Sequence, residues 1–152
     1  MREVINSGAS DSLNPILLTA STVAFGIIIT HTSGFSQISD FLFSSNLPSI
    51  LKLSLVTIIF GGVTRSASGA EGIVLQSFSG TFVNSGLSSE LIHRIVAMSS
   101  SILANMPHSG VVLTMLSSTD LNYKTGYKNI VLGFTLVNLV GLLTALLIYF
   151  LT

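Results

Sequence analysis

One interruption constrains this chain more than anything else in it. The stretch Gly61-Gly62-Val63-Thr64-Arg65-Ser66-Ala67-Ser68-Gly69-Ala70-Glu71-Gly72 sits between two apolar, helix-like runs. It places an arginine, a glutamate and several hydroxyls and glycines where hydrocarbon is expected. Charge at membrane depth is costly; it faces a cavity or a partner and marks a pathway. Irregular backbone at that depth persists only where protein buries it or water fills the space. The stretch therefore reads as one wall of a solute site. A second interruption of the same kind follows at Ala104-Asn105-Met106-Pro107-His108-Ser109-Gly110.

The lipid setting follows from how few charges there are. Only 8% of the 152 residues are charged and 49% are hydrophobic, with a mean hydropathy of +0.79. A water-facing domain carries roughly a quarter charged residues, so the expected fold class is an all-α integral membrane protein. The six basic and six acidic residues balance to a formal +0, which leaves no basic stripe for nucleic acid. With no cysteine there is no disulfide framework or thiolate metal site. With no tryptophan, any aromatic belt rests on Tyr123, Tyr127, Tyr149 and the phenylalanines. The N-terminal residues lack the short apolar run of a signal peptide and enter a polar loop at once, as expected of a chain cut from a longer one.

Taken in order, Leu13 to Thr30 is a charge-free apolar stretch near the roughly 20 residues of a membrane span. Asp11 or Ser12 is the expected cap and Pro15 falls in the first turn. Asn14, Thr19, Ser21, Thr22 and Gly26 give it small and hydroxyl side chains suited to packing on other helices. Phe35 to Asn46 is too short to span and is expected at the interface. Leu47-Pro48 opens the next helix, and Lys52 can snorkel to headgroups. From Leu47 to Val83 a single helix would be about 55 Å long, well beyond roughly 30 Å of hydrocarbon. Two pieces are required, and a re-entrant hairpin is the expected arrangement. Glu90 to Leu116 reads as a span broken at Pro107. Ser117 to Gly126, with Asp120 and Lys124, reads as a polar loop, and Lys128 to Leu151 as a clean span. About three to four membrane segments result. The lysines beside that loop place it weakly on the cytoplasmic side, with the C-terminus outside.

A broken helix offers N–H donors at one new end and carbonyls at the other, and discontinuous helices in transporters use both. Arg65 reads either as counter-ion for a substrate carboxylate or as the internal partner of Glu71, or as a tip residue reaching water. Glu71 reads as a coupling-proton carrier or as that partner. His108 reads as a proton shuttle or solute contact, or as the group that bonds a freed carbonyl at the break. His31 and His93, near helix ends, read as interfacial. No enzyme signature is present: there is no HExxH, nucleophile elbow or phosphate loop. A Ser–His pair from Ser68 or Ser109 with His108 has no supporting spacing.

Several of these residues also resemble a known family. Ile5-Asn6-Ser7-Gly8-Ala9-Ser10, then Thr64 with Ser66-Ala67-Ser68-Gly69, then His93-Arg94-Ile95 leading to Pro107-His108-Ser109-Gly110-Val111-Val112-Leu113-Thr114, then Tyr127-Lys128-Asn129-Ile130 resemble, in order, the C-terminal part of gluconate permease (GntP-type) carriers. The resemblance covers residues 1–152 as a single membrane domain, matching about a third of such a carrier. It implies one repeat of an inverted-repeat secondary transporter that moves gluconate-like organic anions or hydroxy acids by proton symport and alternating access. It implies a multi-pass protein of the cytoplasmic membrane with no cofactor or metal. Its partners would be a small organic anion, protons, the lipid bilayer, and a longer permease chain or a second copy. Thr64, Arg65, Ser66, Ser68, Gly69, Asn105, His108, Ser109 and Gly110 become the candidate substrate site, with Glu71 and His108 as candidates for proton coupling. The family reads T-G-S-A-S-G-G at the first break, so Arg65 and Ala70 stand where it has glycines. Ala104 stands where it has an aspartate, and Ser109 where it has an asparagine. The substitutions make the site more positive, and a non-transporting subunit or remnant is the alternative expectation.

Overall fold

The computed structural model describes residues 2–119 and 121–151; side chains are described outside 2–5, 7, 10–11, 14–15, 18–19, 22–23 and 117–118. The described residues are helical, joined by short turns: α1 (Arg2–Thr30), α2 (Ser33–Ser44), α3 (Ser49–Thr64), α4 (Ala67–Asn84), α5 (Ser89–Ala104), α6 (Gly110–Ser118) and α7 (Tyr123–Leu151). Helix α7 is continuous, with π-helical turns at Tyr123–Tyr127 and Val131–Leu136. No strand occurs among the described residues.

Helices α3 and α4 form a hairpin whose tip is Arg65-Ser66. Its open end is fixed by α2. Lys52, early in α3, donates to the Phe43 carbonyl at 3.0 Å, and the Phe43 ring lies 5.6 Å from Phe82 near the end of α4. Phe35 stacks on Phe78 at 5.5 Å and lies 5.0 Å from Phe60, while Phe43 lies 5.1 Å from Phe78. Each such ring pair contributes about 0.5–1.5 kcal/mol beyond its buried area. Helix α4 then closes through Gly86 in the left-handed region, with Gly86 N–H bonded to the Val83 carbonyl and Leu87 N–H to that of Phe82. This is the Schellman arrangement, with Leu87 buried behind it. Ser88 caps α5 by accepting from Leu91 N–H.

Helix α5 runs parallel to α3 and in close contact with it. A Cβ at Gly61 would overlap the Ser100 carbonyl oxygen, and one at Gly62 would lie 3.2 Å from Leu103 Cβ. Each of these residues lies within the last few positions of its helix, so the two helices end side by side. The core between α3, α4 and α5 holds Leu53, Val56, Phe60, Val74, Ile95 and Val96 at 0–1% exposure. Helix α1 packs on α4 where Gly26 meets Ile73, and α7 lies along α5 with Leu142 and Leu146 in the same core. A small second core of Val112, Leu116 and Ile130 joins α6 to the start of α7.

The outer face of α7 is apolar as well. Leu132, Leu136, Val140, Leu143, Leu147 and Leu151 recur at helical spacing and are all exposed. A helix apolar all round belongs in a core or in lipid. Among the described residues α7 alone is long and apolar enough to cross a membrane, by length and composition; α3 is a shorter apolar helix.

Several expectations about the elements change. The first break is Arg65-Ser66 alone, not the twelve residues Gly61 to Gly72. Gly61 and Gly62 stay helical because they serve close contact with α5 rather than chain reversal. Helix α1 begins at Arg2 and runs through Pro15, and Ser12 lies within it, donating to the Ala9 carbonyl instead of capping. The proposed Asp11 cap and the packing roles of Asn14, Thr19 and Thr22 lie outside the described side chains. The last helix starts at Tyr123, ahead of Lys128, because Asn122 and Thr125 form a capping box. Asp120 of the expected polar loop lies outside the described residues.

Candidate functional site

Arg65 ends α3 in the left-handed conformation, φ 56° and ψ 28°, and among the described residues no other non-glycine has positive φ. Helices commonly end on a residue in this conformation, and it is usually glycine, because a Cβ there crowds the backbone. Thr64 holds the turn together. Its hydroxyl is within bonding distance of the Phe60 carbonyl at 2.7 Å and the Ser66 carbonyl at 2.9 Å. Ser66 then caps α4, its Oγ accepting from Gly69 N–H at 3.2 Å and lying 3.1 Å from Ser68 Oγ.

The second break is longer, residues 105–109, and lacks a left-handed residue, but a serine again caps the helix that follows. Helix α5 stops at Ala104; Asn105 Nδ2 donates to the Ser101 carbonyl at 2.9 Å. Ser109 accepts from Val112 N–H at 3.3 Å and caps α6. Two tyrosines from the start of α7 tie this segment down: Tyr123 donates to the Pro107 carbonyl at 2.6 Å and Tyr127 to that of Asn105 at 3.4 Å.

Because α3 and α5 end side by side, both breaks reach the same end of the bundle. A cleft of about 660 Å³ is lined by Thr64, Arg65 and Ser66 from the first break and by His108, Gly110, Val111, Leu113, Thr114 and Met115 from the second. A neighbouring cavity of about 380 Å³ adds Ala67, Ser68, Glu71, Ala104 and Asn105, and shares Arg65, Ser66 and Val111 with it. The N-termini of α4 and α6 and the C-termini of α3 and α5 therefore meet around one space, presenting N–H donors and carbonyls together.

Of the residues singled out from sequence, Thr64, Arg65, Ser66, His108 and Gly110 line the larger cleft. Ser68, Glu71 and Asn105 line the smaller one. Gly69 and Ser109 line neither. Gly69 is buried in the first turn of α4 with its carbonyl toward Gly26 of α1, and Ser109 is fully buried as a cap. Among the described residues no ion pair joins Arg65 to Glu71. Glu71 instead accepts from Ser100 Oγ of α5 at 2.9 Å. The Arg65 guanidinium and the His108 ring have no hydrogen-bond partner among the described residues, so His108 does not bond a freed carbonyl at the break. Thr114 belongs to the motif that continues from the second break, whereas the contacts of Ser100, Tyr123 and Tyr127 with this region were not legible from sequence. Ser100 and the tyrosines act across 16 to 29 residues of chain, and no local pattern signals that. The described residues contain no group of three or more metal-ligating side chains.

The chain is thus an all-helical protein, over its described residues, in which two interrupted helices converge on a cleft holding an unpartnered guanidinium. It is similar along its whole length to the uncharacterized transporter YxjC of Bacillus subtilis (strain 168), with 28% identity over 156 aligned positions. The alignment takes in 33% of that protein, so the chain spans about a third of the length of the curated relative it matches. No protein-family model and no solved structure matches the chain.

Proposed function

We propose that this chain is part of a membrane carrier for small organic anions. The observation that carries the reading is the cleft itself. Two helix N-termini and the Arg65 guanidinium meet in a space between helix breaks, and among the described residues no anion is paired to the arginine. Such an arrangement suits a carboxylate, which the fork of a guanidinium and free N–H groups bind well. The similarity to a transporter over the full chain and the lipid-suited faces of α7 support a multi-pass place in the cytoplasmic membrane. The α3–α4 hairpin is then re-entrant, and the broken α5–α6 pair is its counterpart within one repeat of an inverted-repeat carrier. The resemblance to gluconate permeases brings gluconate and related hydroxy acids as candidate solutes and protons as the coupling ion, with Glu71 and His108 as carriers of the proton. The reading involves no covalent chemistry, cofactor or metal.

Uptake of labelled organic acids, gluconate included, by permease-deficient cells expressing the chain tests this. Uptake that is lost in Arg65→Ala with membrane insertion intact supports the reading; uptake unchanged in Arg65→Ala and in His108→Ala removes the site. A second reading keeps the similarity to a transporter without transport by this chain itself. Here the chain is a non-transporting subunit that assembles with a longer permease chain or a second copy. Co-purification with such a chain, with no uptake from the chain alone, favours it.

A further inference from the structure

The lining of the cleft says what kind of anion fits. Most of its hydroxyl protons are already committed. Thr64 directs its single proton to the Phe60 or Ser66 carbonyl, and Thr114 donates to the Gly110 carbonyl at 2.9 Å. Ser66 caps Gly69 N–H and shares a hydrogen bond with Ser68. Among the described residues the Arg65 guanidinium and the His108 ring have no hydrogen-bond partner, and the Ser66–Ser68 pair keeps one hydroxyl proton beyond its shared bond. The wall supplied by α6 is mainly aliphatic: Val111, Leu113 and Met115 line the cleft beside Gly110 and Thr114, while Val112 and Leu116 turn into the small core behind.

A sugar acid carries a hydroxyl on each carbon of its body. Laid along Val111, Leu113 and Met115, those hydroxyls would lose water and find few protein donors, and unmet polar groups are costly to bury. An aliphatic acid has the complementary distribution, one anionic end and an apolar body. Resting on the carrier reading and narrowing it, we infer that the cleft takes short-chain aliphatic monocarboxylates in preference to polyhydroxylated acids. The carboxylate lies on Arg65, the chain lies along α6, and His108 is left for a single further oxygen.

The test is calorimetric binding to the 152-residue chain in lipid nanodiscs, with acetate, butanoate, hexanoate and gluconate as probes and butanol and hexanol as neutral controls. The expected result is affinity rising about fourfold per added methylene, the factor that burial of one CH₂ supplies. Hexanoate then binds more tightly than gluconate, and the alcohols show no saturable binding. Met115→Ser should flatten the gradient while leaving acetate unchanged, and Arg65→Gly should abolish the binding of every acid. Gluconate binding more tightly than hexanoate, without a chain-length gradient, would overturn the substrate class and leave the carrier reading standing. A gradient shared by the alcohols would reflect partition into lipid and would overturn it too. No binding by any acid would remove both the class and the reading beneath it.

Discussion

Replacing Arg65 by glycine separates what its backbone needs from what its side chain does. Holding a non-glycine residue in the left-handed region costs roughly 1–2 kcal/mol, and Arg65 is held there at φ 56°. Glycine removes that cost but loosens the unfolded chain, which takes back about 0.4–1 kcal/mol. No hydrogen bond or ion pair of the guanidinium is lost among the described residues. The balance for Arg65→Gly is a gain of about 0.5–1 kcal/mol, or about 1–4 °C in melting temperature on the globular-protein scale for this length. Arg65→Ala also deletes the guanidinium but keeps a Cβ in the strained conformation, so it should show no such gain. Thermal unfolding of the three proteins in one detergent measures this directly, and anion binding by the same samples measures the cost. More stability with less binding is the expected pair for Arg65→Gly. Destabilisation by Arg65→Gly would refute the reasoning, because the guanidinium would then be a structural tie and not a free cation in the cleft.

Three further outcomes are expected. Gly61→Ala puts a methyl group onto the Ser100 carbonyl oxygen and should cost about 1–3 kcal/mol as overpacking; Gly80→Ala on α4, where nothing lies within 4 Å, should be neutral or slightly stabilising in the same melting experiment. Ser100→Ala removes the donor to half-buried Glu71 and should cost about 1 kcal/mol, the typical net value of a hydrogen bond; in a Glu71→Ala background the same change should cost less, as a double-mutant cycle reads it. Tyr123→Phe cuts the tie to Pro107 at a cost of about 0.5–1 kcal/mol, and amide exchange across residues 105–109 should quicken, whereas Tyr149→Phe should leave it unchanged.

The helical class, the two helix interruptions at Arg65-Ser66 and Pro107, and the charged residues lying between apolar runs are legible in local sequence. Those properties are local. Few charges demand an apolar environment, Ser66, Ser88 and Ser109 cap whatever helix follows them, and Pro107 cannot continue one. The sequence overstated the first break because glycines read alike whether they turn a chain or let two helices touch. Only packing against Ser100 and Leu103 shows that Gly61 and Gly62 do the second. The tertiary structure alone decided that the two breaks face one space, since the parallel contact of α3 and α5 aligns their ends. It also decided that Glu71 takes its hydrogen bond from Ser100 rather than pairing with Arg65, and that Gly69 and Ser109 are buried away from the cleft. Side-chain partners are set by which helix faces meet, and that is fixed by non-local burial around Phe60, Ile95 and Val74, which no short window of sequence contains.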